Sequence, residues 1–142
     1  MPQTIEQALK QTRLYTDEQA YLLVKLPPKA ITAAAGVLAE IGEPFGALLA
    51  DKDEVTLIMP ADALEEFAFR LPGHSVSELT YRLLTFDVEL EPTLVGFFAQ
   101  ISAVLAKANV PILAFSAYSR DHLLVREADF AAARAALAAL IG

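Results

Sequence analysis

Apolar positions in the second half of the chain fall first at helical and then at alternating spacing. Leu94, Phe97, Phe98, Ile101, Val104, Leu105 and Ala108 form one helical stripe. Pro92 and Thr93 suit the start of that helix, and Asn109 suits its exit. The apolar run 112–118, the turn Ser119-Arg120-Asp121 and the run 122–126 predict a hairpin. Asp129 is placed to cap a last helix that turns Phe130, Ala133, Leu137 and Leu140 inward. The β-rich stretch 79–88 reads as the strand that opens this series.

The first half parses the same way. A strand over 21–26 leads to a helix with Ile31, Ala34, Ala35, Leu38 and Ile41 on one face, stopped by Gly42. A hairpin over 46–50 and 55–59 turns through Asp51-Lys52-Asp53-Glu54. Asp62 and Glu65 fit a capping box for a helix that buries Leu64, Phe67, Ala68 and Leu71. Residues 71–75, rich in turn formers, read as a boundary. Thr16 and Gln19 fit another capping box, so the segment before Tyr21 is expected to be helical.

The two series align without a gap at an offset of 67, which carries Val37 onto Val104, Pro44 onto Pro111, Leu57 onto Leu124 and Asp62 onto Asp129. Paired prolines and Ala-Asp steps mark changes of chain direction, so they weigh more than alanine matches do. The expected class is α+β, with two tandem ferredoxin-like units (βαββαβ) sharing or abutting their antiparallel sheets. The expected domains are an N-terminal segment over 1–19, a first unit over 20–74 and a second over 75–142.

The stretch LVGFFAQISAVLAKANVPILAFSAYSRDHLLV resembles the second unit of tandem ACT-domain proteins, in a branch that includes small bacterial proteins and is similar to the CASTOR arginine sensors. FGALLADKDEVTLIMP resembles the first-unit hairpin of the same branch. The hairpin departs from that pattern at Ala117 and His122, where the branch tends to carry threonine and tyrosine. The resemblance implies ACT-type units that bind a free amino acid at an interface between units, regulate a partner enzyme and catalyse nothing.

Composition narrows the alternatives. A hydrophobic fraction of 55% with 20% charged residues leaves apolar surface for a partner chain, so a homo-oligomer, with a dimer as the first expectation, is anticipated. The net charge of −7 and the dispersed 11 basic residues argue against a nucleic-acid groove. No apolar run reaches membrane-spanning length, and the N-terminus lacks a signal-peptide core, so a cytoplasmic protein is expected. With no cysteine and only His74 and His122, no metal site or other cofactor is expected. Phosphate-loop, dinucleotide, zinc-protease and nucleophile-elbow motifs are all absent from the sequence.

Candidate ligand-binding residues follow from the chemistry of a zwitterion. The segment Glu91, Pro92, Thr93, Leu94, Val95, Gly96 joins a strand to a helix start, where backbone N–H groups attract a carboxylate. Glu91 and Asp121 are the first choices for an ammonium partner, ahead of Asp87 and Glu89. Ser116 and Tyr118 share one strand face and could offer hydroxyls, with Phe115 packing on the other. The competing reading is structural: Thr93 caps the helix, Gly96 eases packing and Asp121 serves the turn. Two other classes also stay open: a ligand-free oligomerisation or interaction module, and a small enzyme using His122 oriented by Asp121.

Overall fold

The structure, a computed structural model, describes residues 2–42 and 44–141. In chain order it contains α1 (Ile5–Gln11), β1 (Arg13–Tyr15), β2 (Tyr21–Leu26), α2 (Ile31–Ile41), β3 (Ala47–Ala50), β4 (Val55–Pro60) and α3 (Leu64–Phe67). There follow β5 (Ser75–Val76), β6 (Tyr81–Asp87), α4 (Phe97–Lys107), β7 (Ile112–Ser116), β8 (Asp121–Arg126) and α5 (Phe130–Ala138). These elements fall into two compact units, Gln19–Tyr81 and Met1–Glu18 with Arg82–Gly142, called here the first and the second.

In the first unit the strand order is β5-β2-β4-β3, and every pairing is antiparallel. Leu57 of β4 and Val76 of β5 both stand opposite Val24. Because β4 lies between β2 and β3, the helix-linked strands are separated by a third, as the split βαβ plan requires. Alternation turns Val24, Leu26, Val55, Leu57 and Met59 to one face, where they meet Ala34 and Val37 of α2 and Phe67 and Leu71. Gly42 ends α2 at φ +70°, with its N–H bonded to the Leu38 carbonyl at 3.0 Å. The Asp62–Glu65 capping box is not made: the chain leaves β4 through Pro60 directly into a 3-10 turn, and no side chain caps it. Proline's fixed φ already suits that turn.

The second unit has the order β1-β6-β8-β7. Leu14 stands opposite Phe86, and Ile112 opposite Val125. The core joins Leu84, Phe86, Leu123 and Val125 to Phe97, Ile101 and Leu105 of α4 and Ala133 and Leu137 of α5. Each of the large side chains among these contributes about 1.5–3 kcal/mol by leaving water. Asn109, at φ +61°, takes the left-handed position after α4, as its sequence position predicts. Asp129 does not cap α5; its carboxylate pairs with Arg126 Nε at 2.6 Å.

The N-terminal segment differs in detail from expectation. It carries one helix, α1, whose capping box is Thr4 with Gln7, not Thr16 with Gln19. Thr16 lies outside any helix and donates its hydroxyl to the Leu83 carbonyl at 2.6 Å. The segment also supplies β1, which sits beside β6 in the place that β5 takes beside β2 in the first unit. Ala8 of α1 is wholly buried in this core.

Candidate functional site

The loop from β6 to α4 closes a tight turn in which Leu94 N–H donates to the Glu91 carbonyl at 3.0 Å. It enters α4 through Gly96 at φ +93°, a conformation that glycine adopts without a Cβ clash. No side chain caps α4; Thr93, the expected cap, is exposed and outside the cap position. The first amides of α4 thus have no side-chain acceptor, and the helix dipole adds a partial positive charge there.

These amides stand at a crevice of about 350 Å³. One wall is the loop and the first turn of α4, with Leu90, Glu91, Leu94, Gly96 and Phe98; the other is the β7–β8 turn, with Ser116, Ala117, Tyr118, Arg120 and Asp121. Leu90 N–H donates to the Ser119 carbonyl at 2.7 Å and ties the walls together, while Ala117 N–H donates to the Arg120 carbonyl at 3.0 Å and closes the turn. Ser116 Oγ donates to Asp121 Oδ1 at 2.9 Å. Arg120 Nε lies 3.4 Å from Asp87 Oδ1, an ion pair without hydrogen-bond alignment. The crevice therefore brings the α4 amides and Glu91 on one wall together with Asp121 on the other, with the apolar side chains of Leu90, Leu94 and Phe98 in its lining.

Of the residues expected from sequence, Glu91, Leu94, Gly96, Ser116, Tyr118 and Asp121 line the crevice. Thr93, Val95 and Phe115 do not. Val95 is 82% exposed, and Phe115 stands opposite His122 in the β7–β8 ladder. Tyr118 follows the end of β7 and is 99% exposed at the turn, so it does not share a strand face with Ser116. Sequence reasoning missed Leu90, Phe97, Phe98, Ala99, Ala117, Ser119 and Arg120. Only Arg120 carried a signal, its place beside Asp121 on a short turn.

His122 does not line the crevice. Its Nδ1 lies 2.8 Å from Oγ1 of the buried Thr85. Burial holds its pKa below the ordinary value; the Arg120 charge lowers it further, and Asp121 partly offsets both. At neutral pH the ring is therefore uncharged.

The matching place in the first unit is built differently. The offset of 67 puts Pro27 and Pro28 where the second unit has Leu94 and Val95. Proline has no N–H, so two donors are missing before α2. Gly73 packs on this corner so closely that a Cβ there would lie 3.2 Å from Pro27 Cδ. Among the described residues no cluster of three or more His, Cys, Asp or Glu could hold a metal ion, and no helix is long and apolar enough to cross a membrane.

With the fold and crevice described, comparison with known proteins gives the class: an ACT domain is found over residues 76–139. No curated protein matches the chain. Among solved structures it is similar to an Agrobacterium tumefaciens protein at 22% identity and TM-score 0.71, covering 91% of this chain and 88% of that one. It is also similar to a Vibrio cholerae protein of unknown function, described as a possible transport protein, at 21% identity and TM-score 0.70, covering 93% and 91%. The regulatory subunit of aspartate kinase from Thermus thermophilus, in a ligand-free form, aligns at 13% identity and TM-score 0.68 over 94% of this chain and 99% of that one. Likeness at these identities shows the fold: an ACT-type, ferredoxin-like α/β arrangement with antiparallel strands.

Proposed function

We propose that this chain is a tandem ACT-type regulatory protein that binds a free amino acid, or a related metabolite, in the crevice at the start of α4. In this reading both units are ACT-type modules, the assembly is a homodimer, and occupancy is reported to a partner enzyme. The observation that carries it is the pairing of uncapped α4 amides with Asp121 across one crevice. Such a pairing suits a ligand with a carboxylate at one end and an ammonium at the other. The aspartate kinase regulatory subunit among the structural neighbours supports the regulatory role.

The test is a thermal-shift screen with each of the twenty amino acids at 10 mM. A ligand at 100 times its dissociation constant adds about 2.7 kcal/mol. At the usual unfolding entropy per residue, that raises the melting temperature of a 142-residue chain by roughly 9 °C. Absence of a shift with any of the twenty defeats the amino-acid reading. Light scattering on the same samples reports the assembly, and a monomer at all concentrations defeats the homodimer.

A further inference from the structure

The residue that holds the crevice mouth lies at the far end of the sequence from it. Gln3 N–H donates to Glu91 Oε2 at 2.9 Å, Gln3 Oε1 accepts from Glu91 N–H at 2.9 Å, and Gln3 Nε2 donates to the Glu89 carbonyl at 2.9 Å. One residue thus satisfies both the main chain and the carboxylate of Glu91. Two positions on, Ile5 Cδ1 lies where a Cβ on Gly96 would come within 3.0 Å of it, at the point where the loop turns into α4. Glu91 and Gly96 both line the crevice. The segment that presents Gln3 and Ile5 is itself anchored: Thr4 and Gln7 cap α1, Ala8 is buried in the core, and β1 pairs with β6.

From this geometry we infer that the N-terminal segment is an intrachain clasp on the crevice, with Gln3 as the positioning residue that holds Glu91 and the 89–96 loop away from a ligand. The inference rests on the amino-acid reading above and adds to Asp121 a second ammonium partner, Glu91, which also lines the crevice. Gln3 N–H and a ligand ammonium are both donors seeking the Glu91 carboxylate. Drawing that carboxylate to a ligand costs the clasp, so binding loosens the N-terminal segment. Linkage requires the reverse as well: breaking the clasp tightens binding by the same factor. Gln3 then has an effect opposite in sign to that of a residue that merely supports the site, whose loss weakens binding.

The experiment uses the full chain with Gln3→Ala, which removes the two side-chain bonds, and Gln3→Pro, which removes the main-chain donor as well. The first readout, without any ligand, is hydrogen exchange of the 89–96 amides. Exchange is expected to rise several-fold in Gln3→Ala and further in Gln3→Pro, while the α4 and α5 interiors stay as in the parent. Unchanged exchange in both variants overturns the clasp. The second readout is the thermal-shift screen with the same twenty amino acids at graded concentrations. An amino acid that binds the parent is expected to bind Gln3→Pro, which lacks the competing N–H, about tenfold more tightly, to bind Gln3→Ala more tightly by a smaller factor, and to speed exchange at Gln3 and Glu91 in the parent. Equal or weaker binding to the variants overturns the competition while leaving the amino-acid reading intact. A loosened loop in variants that no amino acid shifts supports the clasp and defeats the amino-acid reading.

Discussion

Gly96→Ala is a direct test of the geometry at the start of α4. The backbone there sits at φ +93°, ψ 2°, in the left-handed region that a side chain disfavours by roughly 1–2 kcal/mol. The added Cβ also comes within 3.0 Å of Ile5 Cδ1, which is the end of a flexible side chain and can rotate away. An off-rotamer adjustment of that kind costs about 0.5–1.5 kcal/mol. The sum is about 2.5 kcal/mol, or about 8 °C in melting temperature for a chain of this length. Pairing the change with Ile5→Ala separates the two contributions, because the double variant keeps the backbone cost and loses the collision. Its destabilisation is therefore expected to fall short of the sum of the single variants by about 1 kcal/mol, measured by urea unfolding as a double-mutant cycle. A Gly96→Ala protein within 0.5 kcal/mol of the parent refutes the backbone argument, and strict additivity refutes the contact with Ile5.

Three further outcomes follow from the same structure. Ile101, wholly buried in the second unit's core, should lose 2–5 kcal/mol on substitution by alanine, read from the urea midpoint; a loss below 1 kcal/mol contradicts the assigned packing. Asp121→Asn should leave the melting temperature within about 2 °C while abolishing an amino-acid-induced shift, and a full shift in that variant removes Asp121 from the site. His122 has its pKa lowered in the folded state, so between that value and the ordinary 6.5 the unfolded chain binds more protons. Its contribution to stability is present above 6.5 and is lost as pH falls through the folded value, so stability should decline on acidification. His122→Gln should flatten that decline over the same window; an unchanged slope assigns the pH dependence to other groups.

Much of the local architecture was legible in the residues themselves. The stripe from Phe97 to Leu105 and the alternating run 122–126 announce α4 and β8, because periodic burial leaves its mark on neighbouring positions. Gly42 and Asn109 announce helix ends because few residues accept positive φ. The cap assignments at Thr93, Asp129 and Asp62 failed for a common reason. Acceptor side chains near a helix start suit several roles, and the backbone path decides among them. The chain enters α4 through Gly96, leaving Thr93 outside the cap position, while Asp129 is drawn to Arg126.

The sequence by itself determined the helices, the hairpins and the segment that would face a carboxylate, since each depends on residues only a few positions apart. Tertiary structure alone decided that Arg13–Tyr15 completes the second unit's sheet and that Gln3 holds Glu91, 88 positions away. A three-residue strand and three hydrogen bonds from one glutamine carry no periodicity of their own. Their partners become neighbours only when the core around Phe86 and Ala8 has closed.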